Sequence, residues 1–337
     1  PWDRRGCGAS RRCGHLAAPS CLIASTNGKS NTATMTDAVL GEAGLQVGRY
    51  APARLDDPRE RGLVGGRLSW RGSVLHRRPL HSAVCTLAVA WQGLPEAPVA
   101  VAANRDERLD RPSEGPARRK YGSTIAIAPQ DARVGGTWAG YNEHGLFVGI
   151  TNRWGAGLES ERSRGLLVAD ILAEPTARAA RETVEGAVER HGYAGFQLVV
   201  ADAETAVLFE WDGDLYVRGL TPGVTVVVNV GAALPDGDTL APGEPSAGRV
   251  TEARRSEQAT AARQLRERLA PRSDERVGAW LDRSGVALGE HENGVCVHGD
   301  GFGTRSSSLL ALGDRREYHF ASGPPCETPY SEVDEQV

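Results

Sequence analysis

The chain has 337 residues, with 39 Lys+Arg against 43 Asp+Glu and a net charge of −4. The charge is unevenly divided: residues 1–84 hold 13 basic against 6 acidic side chains, leaving 26 against 37 in residues 85–337. An acidic part without a clustered basic surface excludes nucleic acid and anionic membrane as expected partners, because phosphate binding relies on grouped cations that release counterions.

No run approaches the ~18 apolar residues of a membrane helix. The six cysteines (Cys7, Cys13, Cys21, Cys85, Cys296, Cys326) are too widely spaced for a disulfide framework or a paired-cysteine zinc site. A soluble, cytoplasmic protein is therefore expected, its partner a small-molecule substrate or ligand and its oligomeric state open.

Residues 1–84 carry the arginine pairs Arg4-Arg5, Arg11-Arg12 and Arg77-Arg78 and no sustained helical or strand period, so they read as a disordered extension. We expect that the reading frame was opened upstream of a true start at Val84, a GTG codon. An organelle transit peptide is the competing reading, weakened by Asp56, Asp57 and Glu60.

Ordinary periodicity begins at Cys85. Strands are predicted over 85–91, 99–103, 124–128, 137–141 and 146–151, then helices over 163–172 and 177–191, the second with Ala180, Val184, Ala187 and Val188 at helical spacing. A second strand block follows over 196–201, 206–211, 215–219 and 224–230, implying a second sheet or the second half of one. After a Pro/Gly-rich loop over 232–247 come helices at 257–269 and 275–281 and strands at 305–312 and 317–321. Strand blocks alternating with helix pairs favour two stacked sheets with helices outside, an α+β domain over 85–337, over the single-strand alternation of a dinucleotide-binding fold.

Cys85 opens the first strand. With translation starting at Val84 and the initiator removed, it carries a thiol and a free α-amine, whose pKa of about 7.7–8.0 suits a general base. Nucleophile and base then sit on one residue; the competing reading is a small buried side chain. Asn104-Arg105-Asp106-Glu107 follows an apolar strand as a strand-end loop. There Arg105 would lower the thiol pKa or clamp a carboxylate, and Asp106 would hold the amine or orient the arginine; a solvated turn is the alternative.

Asn142 and His144 occupy a strand–turn–strand connection in which Asn142 reads first as a turn former. Asn152 and Asn229 end strands, where an amide either donates to an oxyanion or caps its strand. The run Gly301-Phe-Gly-Thr-Arg305-Ser-Ser-Ser308 reads as an anion cradle without the lysine of a phosphate loop. His291, Glu292, Cys296 and His298 match no standard zinc spacing, and no metal or cofactor is expected.

Taken in order, Cys85-Thr-Leu, Ala103-Asn-Arg-Asp-Glu107, Gly135-Gly-Thr-Trp138, Asn142-Glu-His-Gly-Leu146, Thr151-Asn-Arg153 and Gly303-Thr-Arg-Ser-Ser307 closely resemble the NRDE family, which includes the transport and Golgi organisation protein 2 group. The resemblance implies a four-layer αββα sandwich of the N-terminal-nucleophile (Ntn) hydrolase kind, near the penicillin V acylase and bile salt hydrolase branch. It implies a catalytic set of Cys85, Arg105, Asp106, Asn152, Asn229 and Arg305, with Asn152 and Asn229 beside the oxyanion. Asn104, Glu107, Trp138, Asn142 and His144 would touch substrate. The branch separates its arginine and aspartate where Arg105 and Asp106 are adjacent here, so their individual roles stay open.

Two functions follow as expectations. One is a cysteine Ntn hydrolase acting on a C–N amide or related acyl bond of a small molecule. The other is a non-catalytic carrier of haem or acyl-CoA/lipid on the same fold, with His144, His298, Trp138 and Trp154 as contacts.

Overall fold

In the first strand, β1 (Thr86–Leu94), Ala88 and Ala90 pack into one apolar cluster while Leu87, Val89 and Trp91 pack into another. A strand that is apolar on both faces belongs at the centre of a covered sheet. The computed structural model describes residues 85–154, 158–240, 251–291 and 294–337. The extension expected over 1–84, residues 241–247 of the expected loop, and Glu292 lie outside the described residues.

Thirteen further strands follow β1 among the described residues: β2 (Ala97–Arg108), β3 (Ser113–Tyr121), β4 (Thr124–Asp131), β5 (Ala139–Asn142), β6 (Phe147–Asn152), β7 (Phe196–Ala201), β8 (Ala206–Trp211), β9 (Leu215–Gly219), β10 (Gly223–Val228), β11 (Gly231–Ala233), β12 (Phe302–Leu312), β13 (Arg316–Ala321) and β14 (Ser331–Glu332). They form two seven-stranded sheets, ordered β11-β10-β1-β2-β12-β13-β14 and β3-β4-β5-β6-β7-β8-β9. Every neighbouring pair is antiparallel.

Helices α1 (Arg164–Ile171) and α2 (Ala177–Arg190) cover the outer face of the second sheet through Leu167, Ile171, Ala180 and Val184. Helices α3 (Glu252–Leu269) and α4 (Val277–Leu288) cover the first sheet through Leu265, Leu269, Trp280 and Leu281. The inner faces meet in a third cluster that includes Val89, Val101, Phe147 and Leu310. The architecture is the expected four-layer αββα sandwich, an α+β domain.

Four expectations need correction. The sheets do not follow the strand blocks, because β1 and β2 join β10–β14 while β3–β9 form an unbroken meander. Strand β3 was not anticipated: Ser-Glu-Gly-Pro-Ala-Arg-Arg-Lys lacks apolar alternation, and its strand form comes from pairing with β4. Its charges, and the register shift between Glu114 and Ala117, are what an edge strand uses to deter a further partner.

Most consequential, Asn104-Arg105-Asp106-Glu107 is not a loop. It lies inside β2, held by β12 through the pairs Ser307↔Asn104, Ser306↔Arg105, Thr304↔Asp106 and Gly303↔Glu107. Helix α4 also runs seven residues beyond its expected end at Leu281. Gly285, which weakens the helical pattern in sequence, lets the helix pack closely, with the side chains of Leu309 of β12 and Tyr330 standing 3.2 and 3.1 Å from where its Cβ would be.

Candidate active site

Strand alternation divides the polar run of β2 between two faces. Arg105 turns toward the second sheet, where its guanidinium carbon lies 4.1 Å from the centre of the Trp138 ring. Asn104 turns toward the helices, and its Nδ2 donates to the carbonyls of Leu288 (2.9 Å) and Val295 (2.8 Å). Asp106 takes the same side as Asn104: its Oδ1 accepts from Thr304 Oγ1 at 2.6 Å, and Oδ2 is buried without a hydrogen bond. Burial holds this carboxyl well above the usual carboxylate range, with the threonine contact opposing.

A cavity of about 140 Å³ opens between the sheets, bordered by Cys85, Arg105, Glu107, Trp138, Asn152 and Arg164 among others. Cys85 lies at the head of β1, one residue before the pair Thr86↔Asn104, so it shares its face with Arg105. Its Sγ is 3.7 Å from the carbonyl oxygen of Asp106. Burial, reinforced by the Asp106 carboxyl, pushes the thiol up to about 12, against the opposing pull of Arg105.

The backbone nitrogen of Cys85 donates to Asn229 Oδ1 at 3.1 Å. Asn229 is fully buried; Gln258 Nε2 donates to the same oxygen (3.2 Å), and Asn229 Nδ2 donates to the Asn152 carbonyl (2.7 Å). The two backbone partners, a donor N–H at Cys85 and an acceptor carbonyl at Asn152, set which end of the amide is oxygen. Asn229 therefore presents an acceptor to the Cys85 nitrogen, and the expected oxyanion-donor role gives way to one of positioning. Asn152 borders the cavity, and among the described residues its side-chain amide has no hydrogen-bond partner.

Three arginines (Arg105, Arg111, Arg164) and three carboxyl side chains (Asp106, Glu107, Asp131) border the cavity. Arg105 is buried, its Nη1 has no hydrogen bond, and its nearest carboxylate is Glu107 at 3.8 Å. Arg111 pairs with Asp131 at 2.7 Å and lies 3.7 Å from Glu107. Arg164 follows the helix N-cap Ser163 and donates to the Gly195 carbonyl at 2.6 Å. Burial lowers the pKa of both Arg105 and Arg164, the direction a desolvated cation takes when it lacks a full counter-charge.

Other expected residues lie elsewhere. Asn142 does not border the cavity: its Nδ2 donates to the carbonyls of Leu172 and Glu174, and its Oδ1 accepts from the backbone N–H groups of His144 and Leu146. Its full hydrogen-bonding capacity goes to the turn, so the substrate-contact expectation is corrected to a structural role. His144 is exposed on that turn, away from the cavity. Arg305 sits at a bulge of β12 between Thr304 and Ser306, which swings it out of the lining; its Nη2 reaches the Arg111 carbonyl at 3.4 Å.

The serines divide by alternation. Ser306 and Ser308 border the cavity, and Ser307 faces away to Tyr330. Trp154 packs with the helix-side cluster and Trp138 with the inter-sheet one, so the contacts expected for a carrier do not converge. Sequence reasoning missed Arg111, Asp131 and Arg164. Only Arg164 carried a trace, as the residue after a helix-capping serine.

The fold and cavity define a class: a two-sheet αββα protein with a cysteine heading a central strand beside a buried, incompletely paired arginine. The chain belongs to the Transport and Golgi organisation 2 family, whose profile matches residues 84–322.

Among solved structures it is similar to the penicillin V acylase from Agrobacterium tumefaciens, with 14% identity, 71% of this chain and 83% of that chain covered, and a TM-score of 0.44. It is similar also to a mutant conjugated bile acid hydrolase from Clostridium perfringens (13%, 76% and 94%, TM-score 0.44). A third is the Caenorhabditis elegans N-acylethanolamine-hydrolyzing acid amidase ortholog (13%, 68% and 93%, TM-score 0.44).

Two curated proteins, each described as "Probable bifunctional folylpolyglutamate synthase/dihydropteroate synthase", from Halobacterium salinarum and Haloferax volcanii, are 51% identical over 45 residues, 13% of this chain. The chain spans 6% and 5% of their lengths. Among the described residues no helix is long and apolar enough to cross a membrane.

Proposed function

We propose that the protein is a cysteine hydrolase of the N-terminal-nucleophile type, cleaving an amide or related acyl bond of a small molecule that bears an anionic group. The observation that carries this reading is the juxtaposition at Cys85. Its sulfur lies at the cavity edge, and its nitrogen is held by the Asn229 oxygen.

The mechanism requires that nitrogen to be a free α-amine. The amine takes the thiol proton, and the thiolate adds to the substrate carbonyl. The tetrahedral oxyanion takes a hydrogen bond from the Asn152 amide. Collapse expels the amine, which receives the proton back from the α-ammonium, leaving a thioester. Water then gives a proton to the α-amine as it attacks, and the acid is released with the thiol restored. Joined to Val84 through a peptide bond, the nitrogen has no basic lone pair, and a thiol held near 12 has almost no thiolate at neutral pH. The chemistry therefore belongs to a chain whose first residue is Cys85.

Arg105 supplies the anion preference: its Nη1 points to no protein partner, and the indole of Trp138 fixes the plane of the guanidinium. The cavity of about 140 Å³ is small beside the ~300–1,000 Å³ of ordinary small-molecule pockets. It suits the reacting end of a substrate better than an enclosed haem.

A chain beginning at Cys85 is offered N-acyl amides and acyl thioesters with and without a carboxylate. Hydrolysis abolished by Cys85→Ala, and reduced at least tenfold in kcat/KM by Arg105→Met for the carboxylates alone, is expected. No turnover across the panel, or turnover that survives Cys85→Ala, overturns the reading.

A further inference from the structure

On the far side of β2 from the cavity, four soft-ligand side chains converge. One ligand atom from each of His291, Cys296, His298 and Cys326 lies within 4.8 Å of every other. Cys296 Sγ is 3.5 Å from Cys326 Sγ, and His298 Nε2 is 3.7 Å from Cys296 Sγ and 3.0 Å from Cys326 Sγ. The imidazoles of His291 and His298 meet edge-on with centroids 5.1 Å apart.

A tetrahedral zinc ion with Zn–S near 2.3 Å and Zn–N near 2.0–2.1 Å separates its ligand atoms by about 3.8 Å for two sulfurs and about 3.5 Å for a sulfur and a nitrogen. The three measured edges straddle these values. We infer that His291, Cys296, His298 and Cys326 form a structural Cys2His2 site for a zinc ion.

The donor set chooses the metal class. Two thiols and two imidazoles suit zinc, whereas calcium and magnesium want oxygen ligands and iron–sulfur clusters want mainly thiolates. Binding releases the two thiol protons to solvent, and Zn²⁺ with two thiolates and two neutral imidazoles is electrically neutral, so the one buried ligand, Cys296, is left beside no net charge. Glu327 Oε1 lies 4.0 Å from His298 Nδ1, the nitrogen left over when Nε2 binds the metal, too far for a hydrogen bond but near enough to form one after a small side-chain rotation. A disulfide between Cys296 and Cys326 would explain the sulfurs and leave the converging imidazoles without a purpose.

The ligands come from two stretches that are distant in sequence. His291, Cys296 and His298 lie between α4 and β12, and Cys326 lies between β13 and β14. The first stretch braces β2: the Val295 carbonyl accepts from Asn104, and Val297 N donates to Thr304 Oγ1, which donates to Asp106. The ion would pin the C-terminal segment to the loop that supports this strand from behind.

The test uses the full chain purified without chelator, under reducing conditions, with any affinity tag removed. Mass spectrometry for metals is expected to find about one zinc per chain, falling below about a tenth in both Cys326→Ser and His298→Ala. Because Cys326 is exposed, its serine variant is expected to fold. Metal-free wild-type protein titrated with Co²⁺ is expected to show the ligand-field bands of tetrahedral cobalt and a thiolate charge-transfer band, both absent in Cys326→Ser.

Zinc that stays with both variants overturns the assignment, as does wild-type protein that neither carries zinc nor develops the tetrahedral cobalt spectrum. So does a Cys296–Cys326 disulfide mapped in protein alkylated at lysis.

Discussion

Blocking or freeing one nitrogen should change the reactivity of Cys85 by a predictable amount. In the chain joined through Val84, burial and the Asp106 carboxyl move the thiol from 9.0 to about 12, so at pH 7.5 it holds about a thousandfold less thiolate than an ordinary cysteine. The more basic thiolate is the better nucleophile, with a Brønsted slope of about 0.4–0.5, which returns roughly 16- to 32-fold. Cys85 should therefore react with iodoacetamide about 30- to 60-fold more slowly than cysteine in an unstructured peptide.

Its rate should also keep rising about tenfold per pH unit through pH 10, where an ordinary thiol levels off. A chain beginning at Cys85 places an ammonium beside the sulfur and should label at least tenfold faster than the joined chain at neutral pH. Timed alkylation followed by peptide mapping separates Cys85 from the other five cysteines. Labelling of the joined chain within about fivefold of the reference peptide, or a plateau below pH 10, would refute the argument.

Burial holds the Asp106 carboxyl above its unfolded value, so the folded state binds the extra proton. Stability should be greatest below the unfolded carboxyl's range and decline as pH rises through the folded one. Asp106→Asn should flatten that decline in urea midpoints taken from about pH 4 to pH 8, and an unchanged profile would contradict it. Gly136→Ala would set a Cβ 2.4 Å from the Gly165 backbone carbon. Loop and helix α1 must then separate, costing about 1–3 kcal/mol and several degrees of Tm; a calorimetric Tm equal to wild type would show that the two backbones do not meet so closely.

Asn142→Ala strips hydrogen bonds from four backbone groups of the turn and should destabilise by about 2–4 kcal/mol. Alkylation of Cys85 should stay at the wild-type rate in the folded variant, and a large change would return Asn142 to the cavity. Thr304→Val removes the hydroxyl between Val297 and Asp106. A loss of about 1.5–3 kcal/mol in denaturant unfolding is expected, and a neutral effect would mean that the buried carboxyl has another partner.

What the sequence determined by itself was local and periodic. The continuous apolar runs of β1 and of Val226-Val227-Val228, the helical spacing of Ala180, Val184 and Ala187, and the strands at 196–201, 206–211 and 215–219 needed no partner to be legible. The motifs that carried the resemblance also stood in order along the chain, and the family match over residues 84–322 agrees with it.

The tertiary structure decided what depends on pairing between distant segments. Asn104 to Glu107 look like a turn because four polar residues end an apolar run, yet β12, some two hundred residues later, supplies the ladder that keeps them extended. That pairing sends Arg105 and Asp106 to opposite faces, a separation no linear motif records. In the same way His291, Cys296 and His298 matched no metal-site spacing, because the fourth ligand is Cys326, brought alongside only when the chain turns back through β13. Side-chain chemistry and period are properties of neighbours along the chain, whereas burial, strand face and the meeting of ligands are set by which remote strand lies beside which.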